Sequence, residues 1–108
     1  MTETTEIHVG DVGTRFEVTV YEDAVALDIS AATVKNFIFG KPSGDVVSVA
    51  AGFVTDGTNG KLYYLSTGTD LDEAGNWELE VELDLSPWAG RTTRLTFVVS
   101  PILEVTTP

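Results

Sequence analysis

The sequence predicts an all-β fold, an antiparallel sandwich of about seven strands. Three observations point there. Trp77, Leu79, Val81 and Leu83 alternate with Glu78, Glu80 and Glu82, a strict period of two. Turn-forming clusters recur about every ten residues along the chain. No apolar period of the helical kind lasts longer than a turn.

The elements follow in order. Met1 to Thr5 are polar and expected to be a loose tail. Ile7 and Val9 start a short strand that ends at Gly10-Asp11-Val12-Gly13. In Thr14 to Tyr21, Phe16, Val18 and Val20 alternate with Glu17, Thr19 and Tyr21, so one face is buried and the other wet. Glu22 and Asp23 turn the chain. Leu27 to Ala31 is a connector with Leu27 and Ile29 tucked inward.

Thr33 to Phe39 is β-branched and aromatic, which suits a strand. Lys41-Pro42-Ser43-Gly44 is a turn, because Pro pre-sets φ at the second position and Gly suits the fourth position of a type I turn. Val46 to Val54 reads as one returning strand, with a bulge or close approach at Ala50-Ala51-Gly52. Asp56-Gly57-Thr58-Asn59-Gly60 is a reversal rich in residues that tolerate positive φ. Lys61 to Leu65 is the next strand, and Thr67 to Asn76 crosses to the other sheet. The last strand runs Leu95 to Val99 behind Arg91 and Arg94. With Ser86 to Gly90 as hairpin loop, Glu82 is expected near Arg94. Glu104 to Pro108 is a second loose tail. The 108 residues make a single domain with its core at about 7–103.

Composition excludes several roles. Six Lys and Arg against 17 Asp and Glu leave a formal charge of −11. That surface repels phosphate backbones and anionic bilayers, so no nucleic-acid or membrane partner is expected. No apolar run approaches the roughly 20 residues of a membrane span, and the N-terminus has no signal-peptide pattern. There is no Cys, so no disulfide supports the core, which fits a reducing cytosol.

Catalytic constellations are missing. The single His, His8, stands on an expected edge strand, and no Ser lies in a nucleophile elbow. Glu78, Glu80 and Glu82 form a stripe at about 7 Å spacing rather than a pair facing across a cleft. An enzyme is therefore not expected. No cofactor is expected either, because Gly10 to Gly13 lacks the Lys and helix of a phosphate loop. One His and no Cys argue against zinc. Asp56, Asp70 and Asp72 are weak calcium candidates, but neither acidic segment has the alternate oxygen ligands of a calcium loop. Among aromatics, Trp77 is expected in the core, while Trp88 in its Pro/Gly loop and one of Tyr63 and Tyr64 point outward. Trp88, Tyr63, Tyr64, Glu78, Glu80 and Glu82 are the interface candidates, the glutamate stripe being a repulsive row that a basic neighbour would relieve.

Five pieces resemble, in the same order, small immunoglobulin-like domains of tailed-phage tails and baseplates. They are Ile7 to Thr14, Leu27 to Thr33, Phe39 to Gly44, Val54 to Lys61 and Asp70 to Trp77. Together the span from about 7 to 103 looks like the N-terminal domain of phage baseplate upper proteins. The resemblance implies an immunoglobulin-like sandwich and a virion structural protein, assembled in the host bacterial cytoplasm, that packs against other virion proteins and against copies of itself. It carries over no catalytic residue. The chain ends soon after this region, so a small accessory, adaptor or decoration protein is expected. The alternative is a carbohydrate-binding or adhesion module working through exposed aromatics.

Overall fold

A computed structural model describes residues 6–103 of the chain; the two expected tails, 1–5 and 104–108, lie outside them. Ten strands occur in this span, and no helix. They are β1 (Ile7–His8), β2 (Arg15–Thr19), β3 (Tyr21–Glu22), β4 (Val25–Ala26), β5 (Val34–Gly40), β6 (Val46–Ala50), β7 (Gly52–Phe53), β8 (Lys61–Leu65), β9 (Gly75–Leu85) and β10 (Trp88–Ser100). A five-stranded sheet has the order β1-β10-β9-β5-β6, a three-stranded sheet the order β2-β8-β7, and β3 with β4 forms a small hairpin. The strands outnumber the expected seven because four of them are only two residues long.

The turns follow their local chemistry. Gly44 N–H donates to the Lys41 carbonyl at 2.9 Å, closing the turn that Pro42 initiates. Asp56 accepts from the Thr58 amide and hydroxyl at 3.0 and 2.6 Å, which caps the next reversal. Gly60 in that reversal has φ of 74°, and a Cβ there would stand 2.7 Å from the Val20 carbonyl oxygen. Only Gly fits that approach.

The core is one cluster fed by the large five-stranded sheet and the small three-stranded one. Phe37, Leu62, Ile29, Trp77, Leu83, Val81 and Val99 are essentially inaccessible. Phe39 sits at the centre of the aromatics, with ring centroids at 5.2 Å to Phe16, 6.1 Å to Phe97 and Tyr64, and 6.3 Å to Trp77. Trp77 stacks on Phe97 at 5.8 Å. Its indole N–H donates to the Glu73 carbonyl at 3.0 Å, so its one polar atom is satisfied in the interior.

Three expectations are corrected. The returning strand 46–54 is two strands on different sheets. The chain leaves the large sheet after β6 and enters the small sheet at β7, with buried Ala51 as the corner. Small residues permit this, because a Cβ on Gly52 would stand 3.1 Å from the Tyr63 ring. One ladder is parallel rather than antiparallel, with Ile7 opposite Val99 and His8 opposite Ser100. The β9–β10 hairpin is tighter than expected, since Trp88 already opens β10 opposite Leu85. This moves the register, placing Glu82 opposite Arg91 and Glu80 opposite Arg94.

Candidate functional site

Strand β9 turns its apolar residues inward and its glutamates outward. Arg91 and Arg94 on β10 are three residues apart, which in a regular strand puts them on opposite faces. The register shift between Thr92 and Arg94 adds one residue and returns Arg94 to the face of Arg91. Both guanidinium groups then reach Glu80: Arg91 Nη1 donates to Oε1 at 2.9 Å and Arg94 Nη2 to Oε2 at 2.6 Å. Arg94 also contacts Glu78 at 3.4 Å, and Arg91 lies 3.9 Å from Glu82, which accepts from Asn36 Nδ2 at 3.0 Å. The Arg94 and Arg91 hydrogen bonds hold the Glu80 carboxyl below its ordinary range. The glutamate row is thus relieved inside the chain, and no basic neighbour is required for that.

The calcium candidates do not converge. Asp56 is occupied with its own turn. Asp70 accepts from the Tyr64 hydroxyl and from the Thr67 amide. Burial raises its carboxyl, but these hydrogen bonds outweigh burial and leave it below the ordinary value. Asp72 pairs with Lys41 at 2.9 Å. No group of three His, Cys, Asp or Glu side chains stands in metal-binding proximity among the described residues.

The aromatics are dispersed as well. Trp88 is 46% exposed, at the start of β10 in the large sheet. Tyr63 and Tyr64 belong to β8 in the small one. The Arg15 guanidinium covers the Tyr63 ring at 4.5 Å. Tyr64 packs toward the core, where burial first and then the Asp70 contact push its hydroxyl up to about 12. Only one aromatic of the three is left as a free surface.

A largely apolar concavity lies between the sheets beside β6, with a volume of about 220 Å³. Val47 and Val49 of β6, Tyr64 of β8, and Phe16, Phe39 and Trp77 line it, with Asp70 as its acidic member. Lys41 reaches it along the Trp77 ring, 5.8 Å from the ring centroid, and its side chain is only 13% exposed. Sequence reasoning missed this place. The signal available was the run Val46 to Ala50, five residues without a charge in a chain of formal charge −11.

The family model of the BppU N-terminal domain matches residues 2–108. The chain belongs to this family. The match bears out the resemblance to the N-terminal domain of phage baseplate upper proteins, which rested on turn motifs alone. Membership in the BppU N-terminal domain family gives the chain a phage structural role as a component of the virion, in company with other virion proteins. Among curated proteins, none gives a significant match.

Proposed function

We propose that the chain is a non-enzymatic structural protein of the virion, a tail, baseplate or decoration component that acts through protein–protein assembly with other virion proteins and with copies of itself. The observation that carries this reading is the family match across residues 2–108. The side-chain chemistry agrees with it. The carboxylates that could have served catalysis or metal binding are engaged in turns, ion pairs and corner contacts. The net acidity disfavours nucleic acid and anionic membranes as partners.

In this reading the chain is one domain with an immunoglobulin-like sandwich architecture. Two sheets share an aromatic core, and the chain passes between them at Ala51 and again between β8 and β9. The Trp77 indole bonds back to the Glu73 carbonyl, four residues upstream. This is the kind of contact that a Tyr hydroxyl makes at the corner of immunoglobulin domains. The protein is assembled in the host bacterial cytoplasm and resides in the virion.

Light scattering and co-sedimentation test the proposal together. The expected outcome is an oligomer in solution and a protein that travels with purified particles. A monomer that stays in the supernatant contradicts it. The carbohydrate-binding alternative needs an aromatic platform; Trp88 is exposed but stands on a different sheet from Tyr63 and Tyr64, which favours the assembly reading.

A further inference from the structure

Six strands stand at sheet edges: β1 and β6 of the large sheet, β2 and β7 of the small one, and both strands of the β3–β4 hairpin. An edge strand offers unpaired N–H and C=O groups that a second strand can take up, and proteins blunt such edges with short strands, charges, Pro or bulges. Four of these edges are two residues long. The fifth, β2, has Arg15 and Glu17 on its exposed face, paired at 3.1 Å. The sixth, β6, has no such device. It reads Val46-Val47-Ser48-Val49-Ala50, pairs with β5 without a register shift, and leaves Val46 68% and Val47 38% exposed.

Behind this edge lies the apolar cavity. Its wall contains Val47 and Val49, the inward side chains of the same strand. On the other side the lining is Tyr64 of β8 with Ser66, Thr69, Asp70 and Leu71 of the segment that follows it. A strand laid against β6 stands about 4.8 Å away and turns every second side chain inward, over this gap. An apolar cavity of about 150 Å³ holds a benzene ring, so about 220 Å³ accommodates a Leu or Phe side chain.

We propose that β6 is a docking edge for an extended segment of a different virion protein, which pairs with β6 and seats an apolar side chain in the cavity behind Val47 and Val49. This rests on the virion reading above. The rim fixes the partner's chemistry further. Asp70 lines the cavity beside Lys41, and Lys41 itself stands in the field of Asp72, Glu73 and Asp45, so acid predominates and Lys or Arg flanking the apolar residue is complementary. A second copy is the poorer occupant. Its own β6 would turn only Val, Ser or Ala side chains over a cavity with room for Leu or Phe, and it would bring together two chains of formal charge −11.

The test places a photo-crosslinking benzoylphenylalanine at position 48, exposed on the face of β6 away from the cavity, and in a control at position 17 on β2, in protein carried by purified particles. Mass spectrometry then locates the crosslink. The expected result is a crosslink from position 48 to one segment of another virion protein, apolar residues alternating and Lys or Arg alongside, with none from position 17. In parallel, Val47→Lys is expected to lower incorporation into particles about tenfold or more, while Glu17→Lys does not. If Val47→Lys fails to fold by circular dichroism, the crosslink decides. A crosslink only to another copy of this chain overturns the proposal. So does no crosslink at position 48 from particle-borne protein, although the virion reading then stands. Absence of the wild-type protein from particles overturns both.

Discussion

The two faces of β9 do different work with residues that alternate one by one. Inward, Trp77, Leu79, Val81 and Leu83 are at most 3% exposed and join the aromatic cluster around Phe39. Outward, Glu78, Glu80 and Glu82 stand in water and are matched by Arg91, Arg94 and Asn36. The inner face derives its energy from removal of apolar area from water and from close packing, which salt leaves intact. The outer face derives it from exposed ion pairs, which are individually weak and screened by salt. The difference teaches that a row of like charges on one face needs partners on the next strand, and the glutamate row finds them inside the chain. Arg91 and Arg94 set two cations against its three carboxylates within the sheet, and β6 is an edge that carries no charge of its own.

Substitutions that treat both faces alike break the comparison most directly. Trp77→Ala removes the largest fully buried side chain and a satisfied indole hydrogen bond. It is expected to cost about 3–5 kcal/mol in urea unfolding, a large part of the roughly 5–15 kcal/mol of a typical domain. Glu80→Gln on the same strand is expected to shift the midpoint far less. Equal losses at the two positions would end the distinction.

A second effect belongs to the inner side. Tyr64 has its hydroxyl at about 12 in the fold against an ordinary value of 10.0. The neutral form is the one the fold favours, so its contribution is fully present below pH 10 and lost as pH rises toward 12. Tyr64→Phe should abolish that part of the alkaline decline, measured as urea midpoints across that range. An unchanged alkaline decline in the variant counts against the Tyr64–Asp70 contact.

The outer face gives smaller, salt-sensitive effects. Arg94→Glu sets a fourth carboxylate among Glu78, Glu80 and Glu82 and is expected to lower the melting temperature at low salt. The deficit should shrink near 1 M salt, where the screening length is about 3 Å. A deficit independent of salt would mean that the arginine packs rather than pairs. The Glu80 carboxyl is held below its ordinary value by Arg94 and Arg91, so its contribution is present above the unfolded carboxylate value and is lost as pH falls through the folded one. An NMR titration of that carboxyl should show the depression in wild type and relief of it in Arg94→Glu. Glu82→Gln is the mildest change, because Arg91 is 3.9 Å away and Asn36 can still donate to the amide oxygen.

Much of this was legible in the sequence, and what was legible was local. Lys41 to Gly44 and Asp56 to Gly60 announce their turns because Pro, Gly and Asp act on their own backbone. The inward row on β9 follows from alternation alone. Ala51 as a crossing between sheets was not legible, because Ala and Gly at a strand corner look the same as a bulge. The register of Arg91 and Arg94 depends on one added residue in β10 that no local pattern marks. The cavity joins Phe16, Val47, Tyr64 and Trp77 from four strands far apart in the chain, and only the pairing of sheets brings them together. The virion role came from the order of turn motifs and then from the family match, never from reactive groups.

Mass spectrometry of particles purified through a density gradient tests the central claim most directly. The account predicts peptides of this chain at a constant ratio to the known structural proteins across the particle peak and after a high-salt wash. Peptides absent from the peak, or present only in the soluble lysate, would contradict it.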